Sequence, residues 1–230
     1  MSTEVDVVIP VYGGASRVTR AVESVLAQDV VARVRIHLVD DASPDGAAEL
    51  LARLAEAHPE VSVLTHPENR GVAAARNAAI RAGSAPFVAL LDQDDAWRPS
   101  KLRLQLAALE ADAGLGYVLG HSAFHLEPGI ARPTWARAAW FDGPQRAYLP
   151  SALVVRRAAW ERVGPFDETL RAGGDDTDWF ARAHRMAVPF AFLDDVVLDR
   201  FIHDRNASAG DTDGDLLRVL RRHLADRSGA

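Results

Sequence analysis

The chain contains no cysteine, which excludes disulfide frameworks, thiol nucleophiles and thiolate zinc sites. Lysine is nearly absent too: Lys101 is the only one, so the positive charge is almost wholly guanidinium. Acids outnumber bases, 32 to 26, for a formal net charge of −6. A nucleic-acid partner, which needs clustered cations against the phosphate backbone, is therefore not expected. No window approaches the roughly 18 uncharged residues of a membrane span. The opening MSTEVDVVIPVY lacks a basic stretch followed by a sustained apolar run. The expectation is a cytoplasmic chain with no transmembrane segment; Arg218, Arg221 and Arg222 leave peripheral membrane contact open. GxGxxG, GxxxxGKS/T, HExxH and GxSxG are missing as well, which removes the usual supports for dinucleotide, P-loop, zincin and α/β-hydrolase readings.

What is present is a globular composition, 48% hydrophobic and 25% charged over 230 residues, in which apolar runs alternate with helical patterns. VDVVIPV (5–11), VRIHLVD (34–40), VSVLTH (61–66) and PFVALLD (86–92) read as strands. Between them come a pattern at Val18, Ala21, Val22, Val25 and Leu26, a helix running to about residue 57 with Asp45 as its cap, and GVAAARNAAIRAG closed by Gly83. This alternation predicts an α/β fold, a Rossmann-like, mainly parallel sheet flanked by helices. The spacing further predicts a long loop or short hairpin over 120–150, a strand and short helix in SALVVRRAAWERVG, and an amphipathic helix in GGDDTDWFARAHRMA. Two strands are expected in PFAFLDDVVLDRFIH, and a terminal helix with Leu216, Leu217, Leu220 and Leu224 inward. The chain reads as a single domain, with 1–112 as one half, 113–210 as a smaller second half and 211–230 as a C-terminal helix.

Ligands of open parallel sheets bind beyond the carboxyl ends of the strands. Tyr12 follows the first strand, Asp40 and Asp41 the second, and Asp92, Asp94 and Asp95 the fourth. Carboxylates gathered without lysine repel one another unless a cation is shared. The Asp-x-Asp pair of LLDQDDAW suits a hard divalent ion, which takes one or two carboxylates and completes its shell with water and phosphate oxygens. Asp94 or Asp95 could instead cap a helix starting near Trp97, with Pro99 in its first turn. Asp40 and Asp41 could organise a turn through their side chains, and Tyr12 could be an ordinary half-buried aromatic. Asp175, Asp176 and Asp178 stand where the helix macrodipole favours acids. His203, Asn206 and Ser208 follow the last strand, where a histidine can be structural or can bind metal. Asp211, Asp213 and Asp215 imitate an EF-hand opening, but Leu216 stands where the loop needs glycine.

Taken in order, VVIPVYGG, LVDDASPDG, NRGVAAARNAAI, LLDQDDAWRPSKL, VGPFDETLRAGGDDTDWFAR and RFIHDRNAS resemble the successive blocks of family 2 glycosyltransferases of the GT-A fold, over roughly residues 5–208. The resemblance implies an inverting, metal-dependent transfer from a nucleotide sugar, most simply a UDP-sugar, to an acceptor hydroxyl on a glycan, peptide, lipid or small molecule. Asp92, Asp94 and His203 would hold Mn2+ or Mg2+ against the diphosphate. Pro10, Val11 and Tyr12 would line the base pocket, Asp40 or Asp41 would read base or ribose, and Arg76, Asp92 and Gln93 would lie at the nucleotide. Asp176 would be the general base, with Asp175, in place of the usual Glu, and Trp179 beside the acceptor. The QxxRW block of the processive members is missing, which implies nonprocessive transfer, and 121–150, matching no block, is expected to form the acceptor pocket. Two other readings stand beside this one, a nucleotidyltransferase with a related sheet and an inactive nucleotide-sugar-binding paralogue.

Overall fold

A computed structural model describes residues 3–170, 174–204, 206, 218 and 219. Ser208, the EF-hand-like acids and, Arg218 and Val219 apart, the expected helix over 211–230 lie outside them. Eight strands form one sheet, β1 (Glu4–Val11), β2 (Arg33–Asp40), β3 (Val61–Thr65), β4 (Phe87–Leu90), β5 (Ala96–Trp97), β6 (Tyr117–Leu126), β7 (Val154–Arg156) and β8 (Phe190–Ile202). Their order across the sheet is β3-β2-β1-β4-β7-β6-β8-β5. Among the described residues they are accompanied by the α-helices α1 (Val18–Leu26), α2 (Ala47–Ala57), α3 (Val72–Ala82), α4 (Lys101–Ala111), α5 (Arg157–Val163) and α6 (Asp175–Arg185).

The β-branched runs of β1 and β2 make the centre of the core, with Val5, Val7, Val8, Ile9, Ile36 and Leu38 wholly buried. Helix α3 packs on both strands. Its small face, Ala73, Ala74, Ala75 and Ala79, lets its backbone come close to the sheet, and Arg76 and Asn77 on the same helix are buried. Asn77 then takes the place of a strand: its amide donates to the Phe166 carbonyl at 2.9 Å and its oxygen accepts the Phe166 N–H at 3.0 Å. That pair fixes the segment leading towards α6.

Strand directions decide what meets at the site. Strands β1 to β4 are parallel, β7 runs opposite to β4 and β6, and β6 and β8 are parallel to each other. The carboxyl ends of β1, β2, β3, β4, β6 and β8 therefore share one edge with the start of β7. Helix α6 feeds β8 from the far side, so its N-terminus returns to that same edge.

Four expectations differ from the structure. Residues 96–97 are not the start of a helix but strand β5, paired with Asp199 and Leu198 of β8. Pro99 keeps the preceding residue out of helical backbone, and α4 begins only at Lys101. The two strands expected over 189–203 are one, β8, interrupted by register shifts opposite Gly120 and His121. The exposed Asp194 and Asp195 bulge outward there, and a Cβ on Gly120 would meet Val197 Cγ1 at 2.6 Å. Residues 120–126 belong to β6 rather than to a loop. Gly46, in left-handed backbone at φ 75°, precedes α2 in place of the expected Asp45 cap, although the Asp45 carboxylate still accepts the Ala47 N–H at 3.3 Å.

Candidate active site

The segment after β4 is held residue by residue from different elements. The Leu91 N–H donates to Val8 O at 3.0 Å, continuing the β1–β4 ladder. Asp92 N–H donates to Ser151 Oγ at 3.0 Å, just before β7. The Gln93 amide clamps the Tyr12 backbone, accepting its N–H at 2.9 Å and donating to its carbonyl at 3.0 Å. A Cβ on Gly14 would lie 2.0 Å from Gln93 Oε1, so this clamp requires glycine there. Arg20 of α1, stacked 3.7 Å over the Phe201 ring, donates to the Asp94 carbonyl at 2.5 Å. Asp95 closes the turn and accepts the Phe201 N–H at 3.2 Å.

Asp92 and Asp94, one residue apart on the same loop, face different partners. Asp92 Oδ1 accepts from Arg76 at 2.6 Å, and the other arm of Arg76 donates to Asp175 Oδ2 at 2.8 Å. Asp94 Oδ2 lies 2.8 Å from His203 Nε2 and accepts from Asn206 at 3.1 Å. The cations that reconcile the acids inside the chain are therefore guanidiniums. Burial disfavours charge on Arg76, but Asp92 and Asp175 outweigh it and raise its pKa. Arg200 on β8 is held charged in the same way against burial, chiefly by Asp95, then Asp92, Asp94 and Asp176. Burial would raise Asp94, yet the His203 hydrogen bond and the Arg200 charge keep it below the usual carboxylate value. Asp95, fully enclosed, is pushed well above that value by burial. Asp175 is pushed up to about 6, by burial first and then by Asp176 and Asp92, with Arg76 opposing. Asp176, half-buried in the first turn of α6, accepts, among the described residues, from its neighbour Thr177. Its second oxygen, Oδ2, has no partner in that turn.

Several sequence-derived site residues also have partners within the fold. Asp41 is buried and saturated: it lies 2.6 Å from His66 Nδ1 and accepts the Arg70 and Gly71 N–H groups at 3.0 and 2.8 Å. Asp40, also buried, holds the Ser43 N–H at 2.9 Å, the turn-organising role. Pro10 and Val11 lie inside β1, buried. Tyr12 is half exposed at the strand end and open to a ligand. Arg76 is closed off between its two acids rather than open to phosphate. Trp179, expected beside the acceptor, is wholly buried and packs edge-on to Tyr117 at 5.7 Å; its place on the inner face of α6 removes it from any acceptor surface. Arg200, which opens the RFIHDRNAS block, and Ser151 carry no local signal of a role at the site, and only the sheet topology brings them to the edge.

Among the described residues no three Asp, Glu or His side chains converge as a ready-made cation cage. The Asp94 and His203 pair does fit a divalent ion: its 2.8 Å separation is close to the ~2.9 Å edge of an octahedron with 2.0–2.1 Å ligand distances. Asp92, tied to Arg76, lies outside that pair.

A family model described as Glycosyl transferase family 2 matches residues 6–169. The succinoglycan biosynthesis protein ExoU of Rhizobium meliloti is 36% identical over 202 residues, 79% of this chain and 57% of that protein. Staphylococcus aureus TarS 1–349 in complex with UDP-GlcNAc superposes with a TM-score of 0.77 at 18% identity, over 97% of this chain and 66% of that one. The mannosyltransferase PcManGT of Pyrobaculum calidifontis, in complex with GDP-Man and Mn2+, superposes at 0.72 and 23% identity, over 98% and 64%. These likenesses give the sheet its class, the GT-A fold. Relatives of this chain are longer than the matched region: it covers 57% of ExoU, 65% of the glycosyltransferase AglE of Haloferax volcanii and 22% of the chondroitin synthase of Pasteurella multocida.

Proposed function

Because the chain belongs to glycosyl transferase family 2, we propose that it is an inverting, nonprocessive glycosyltransferase moving a sugar from a nucleotide sugar to an acceptor hydroxyl, with a UDP-sugar as donor and Mn2+ or Mg2+ as cofactor. One observation carries this reading: Asp92, the Asp94–His203 pair, Asp175 and Asp176, from three separate segments, meet at the carboxyl edge of the sheet around Arg76 and Arg200. Acids outnumber guanidiniums there. A diphosphate would be repelled from such an edge unless a further cation came with it.

In this reading Tyr12, the half-exposed residue after β1, stacks on the nucleobase, and the Gln93 clamp fixes its backbone for that contact. Asp94 and His203 hold the divalent ion, which when bound stabilises negative charge on the departing diphosphate. Arg76 keeps Asp92 and Asp175 in register and is a positioning residue. Asp176 takes the proton of the acceptor hydroxyl as the oxygen attacks the anomeric carbon; the bond from that carbon to the diphosphate breaks with its electron pair leaving on the nucleotide. Asp176 suits this task because its Oδ2 is not used by the helix turn that occupies Oδ1.

The test is Asp176→Asn. Transfer from the UDP-sugar should fall roughly 10²- to 10⁴-fold, the usual worth of a general base, while UDP affinity measured by calorimetry stays unchanged. Transfer at the parent rate, or an equal loss of UDP binding, overturns the assignment of the base.

A further inference from the structure

Loop 127–149 is not a passive connection. Gln145 pins it to β6 through a pair of backbone hydrogen bonds with Ser122, at 2.9 and 2.8 Å, and its side chain ties back to Ala139 and Gly143 at 3.1 and 2.9 Å. The turn at Ala138–Phe141 sets Trp140 against Phe124 of β6, 5.1 Å between ring centroids, with Trp135 6.5 Å beyond. These rings wall a pocket of about 190 Å3, together with Gln145, Arg146 and Arg200. Its size is below the roughly 300–1,000 Å3 of drug-sized ligand pockets, which restricts it to a single ring.

Two features specify the occupant. Three aromatic faces in a small pocket suit the apolar C–H face of a pyranose, while the Gln145 side-chain oxygen, its N–H groups being taken by Ala139 and Gly143, can accept from a hydroxyl. The charged lining is two guanidiniums and no carboxylate, in a chain whose acids outnumber its bases 32 to 26. Arg146 is held with its guanidinium 4.4 Å over the Phe192 ring and forms no ion pair with a described carboxylate. Such a stacked, planar fork is prepared for a carboxylate or phosphate. Arg200 interacts with Asp92, Asp94, Asp95 and Asp176, so the pocket adjoins the reaction centre.

We propose that this pocket is the acceptor subsite and that it takes a pyranose bearing an anionic group, with Arg146 as its specificity-determining residue. The subsite assignment rests on the glycosyltransferase reading, whereas the affinity for an anionic sugar does not.

The probes are glucose, glucuronate and glucose 6-phosphate, titrated at fixed ionic strength against tryptophan fluorescence; Trp135 and Trp140 report from the pocket walls. Glucuronate, glucose 6-phosphate or both should bind at least about tenfold more tightly than glucose, the scale of one charge-assisted hydrogen bond. The two charged arms separate a uronic acid from a sugar phosphate as the natural ring. Arg146→Met should bring the charged sugars to within about twofold of glucose, and Trp140→Ala should weaken all three. Equal affinity for all probes, no binding of any, or an unchanged preference in Arg146→Met overturns the proposal. UDP binding by the same preparations is the control: anionic sugars binding where UDP does not would leave the pocket standing and sink the glycosyltransferase reading.

Discussion

Asp175 and Asp176 are neighbours in sequence, yet their surroundings set them apart. Asp175 is buried against Arg76, and Asp176 keeps one oxygen free of the helix turn. Burial, with Asp176 and Asp92, pushes Asp175 up to about 6 from 3.8. The folded chain therefore binds that proton more tightly than the unfolded chain does. The stability this contributes is complete below the unfolded value near 4 and is lost as pH rises through 6. Asp175→Asn carries no such proton, so its melting temperature relative to the parent should be higher at about pH 7.5 than at about pH 4.5. A difference that is the same at both pH values, or larger in the opposite sense, would refute the raised pKa. This residue-level contrast could not be read from DDTD, where all three acids look like equivalent N-terminal charges; burial alone separates them.

At the scale of elements, α4 carries the one lysine at its first position. Lys101 is wholly buried under the Trp97 ring, 4.7 Å away, and donates to Gln105 and to the Leu153 carbonyl. Among the described residues no carboxylate pairs with it, and burial lowers its pKa well below 10.5. The unfolded chain then binds the proton that the folded chain sheds, so this lysine makes stability rise with pH up to about 10.5, and fall as pH drops towards the folded value. Lys101→Met should flatten that rise in urea unfolding, and an identical slope in parent and variant would show the amine is not desolvated. The elements themselves were largely legible from sequence. Strands β1 to β4 are centred on β-branched and other apolar residues, and α1, α3 and α6 carry helical spacing that only a buried stripe explains. Strand β5 was not legible, because two residues hold no period, and β8 was divided in two because its exposed Asp194–Asp195 bulge imitates a turn. The sequence leaves Asp40 and Asp41 open between a ligand contact and a turn-organising role, because nothing local reveals that the loop before α3 surrounds Asp41 with donors.

For the whole molecule, the sheet gathers distant segments at one edge: parallel strands deliver acids, the reversed β7 brings Ser151, and β8, rejoining in parallel, brings His203 opposite Asp94. The sequence resemblance named most of those positions, but the partition of the acids between Arg76 and the Asp94–His203 pair emerged only from topology. This arrangement accounts for how so many carboxylates coexist without lysine beside them, since two guanidiniums neutralise part of the cluster and His203 pairs with Asp94. The central claim is that this pair holds a divalent cation against a nucleoside diphosphate, and thermal unfolding with UDP tests it most directly, because a ligand that binds only the folded chain raises its midpoint. With Mn2+ present, UDP should raise the melting temperature; in EDTA, and in Asp94→Ala with Mn2+, that rise should disappear. A UDP-induced rise of equal size in EDTA, or in Asp94→Ala, would contradict the account.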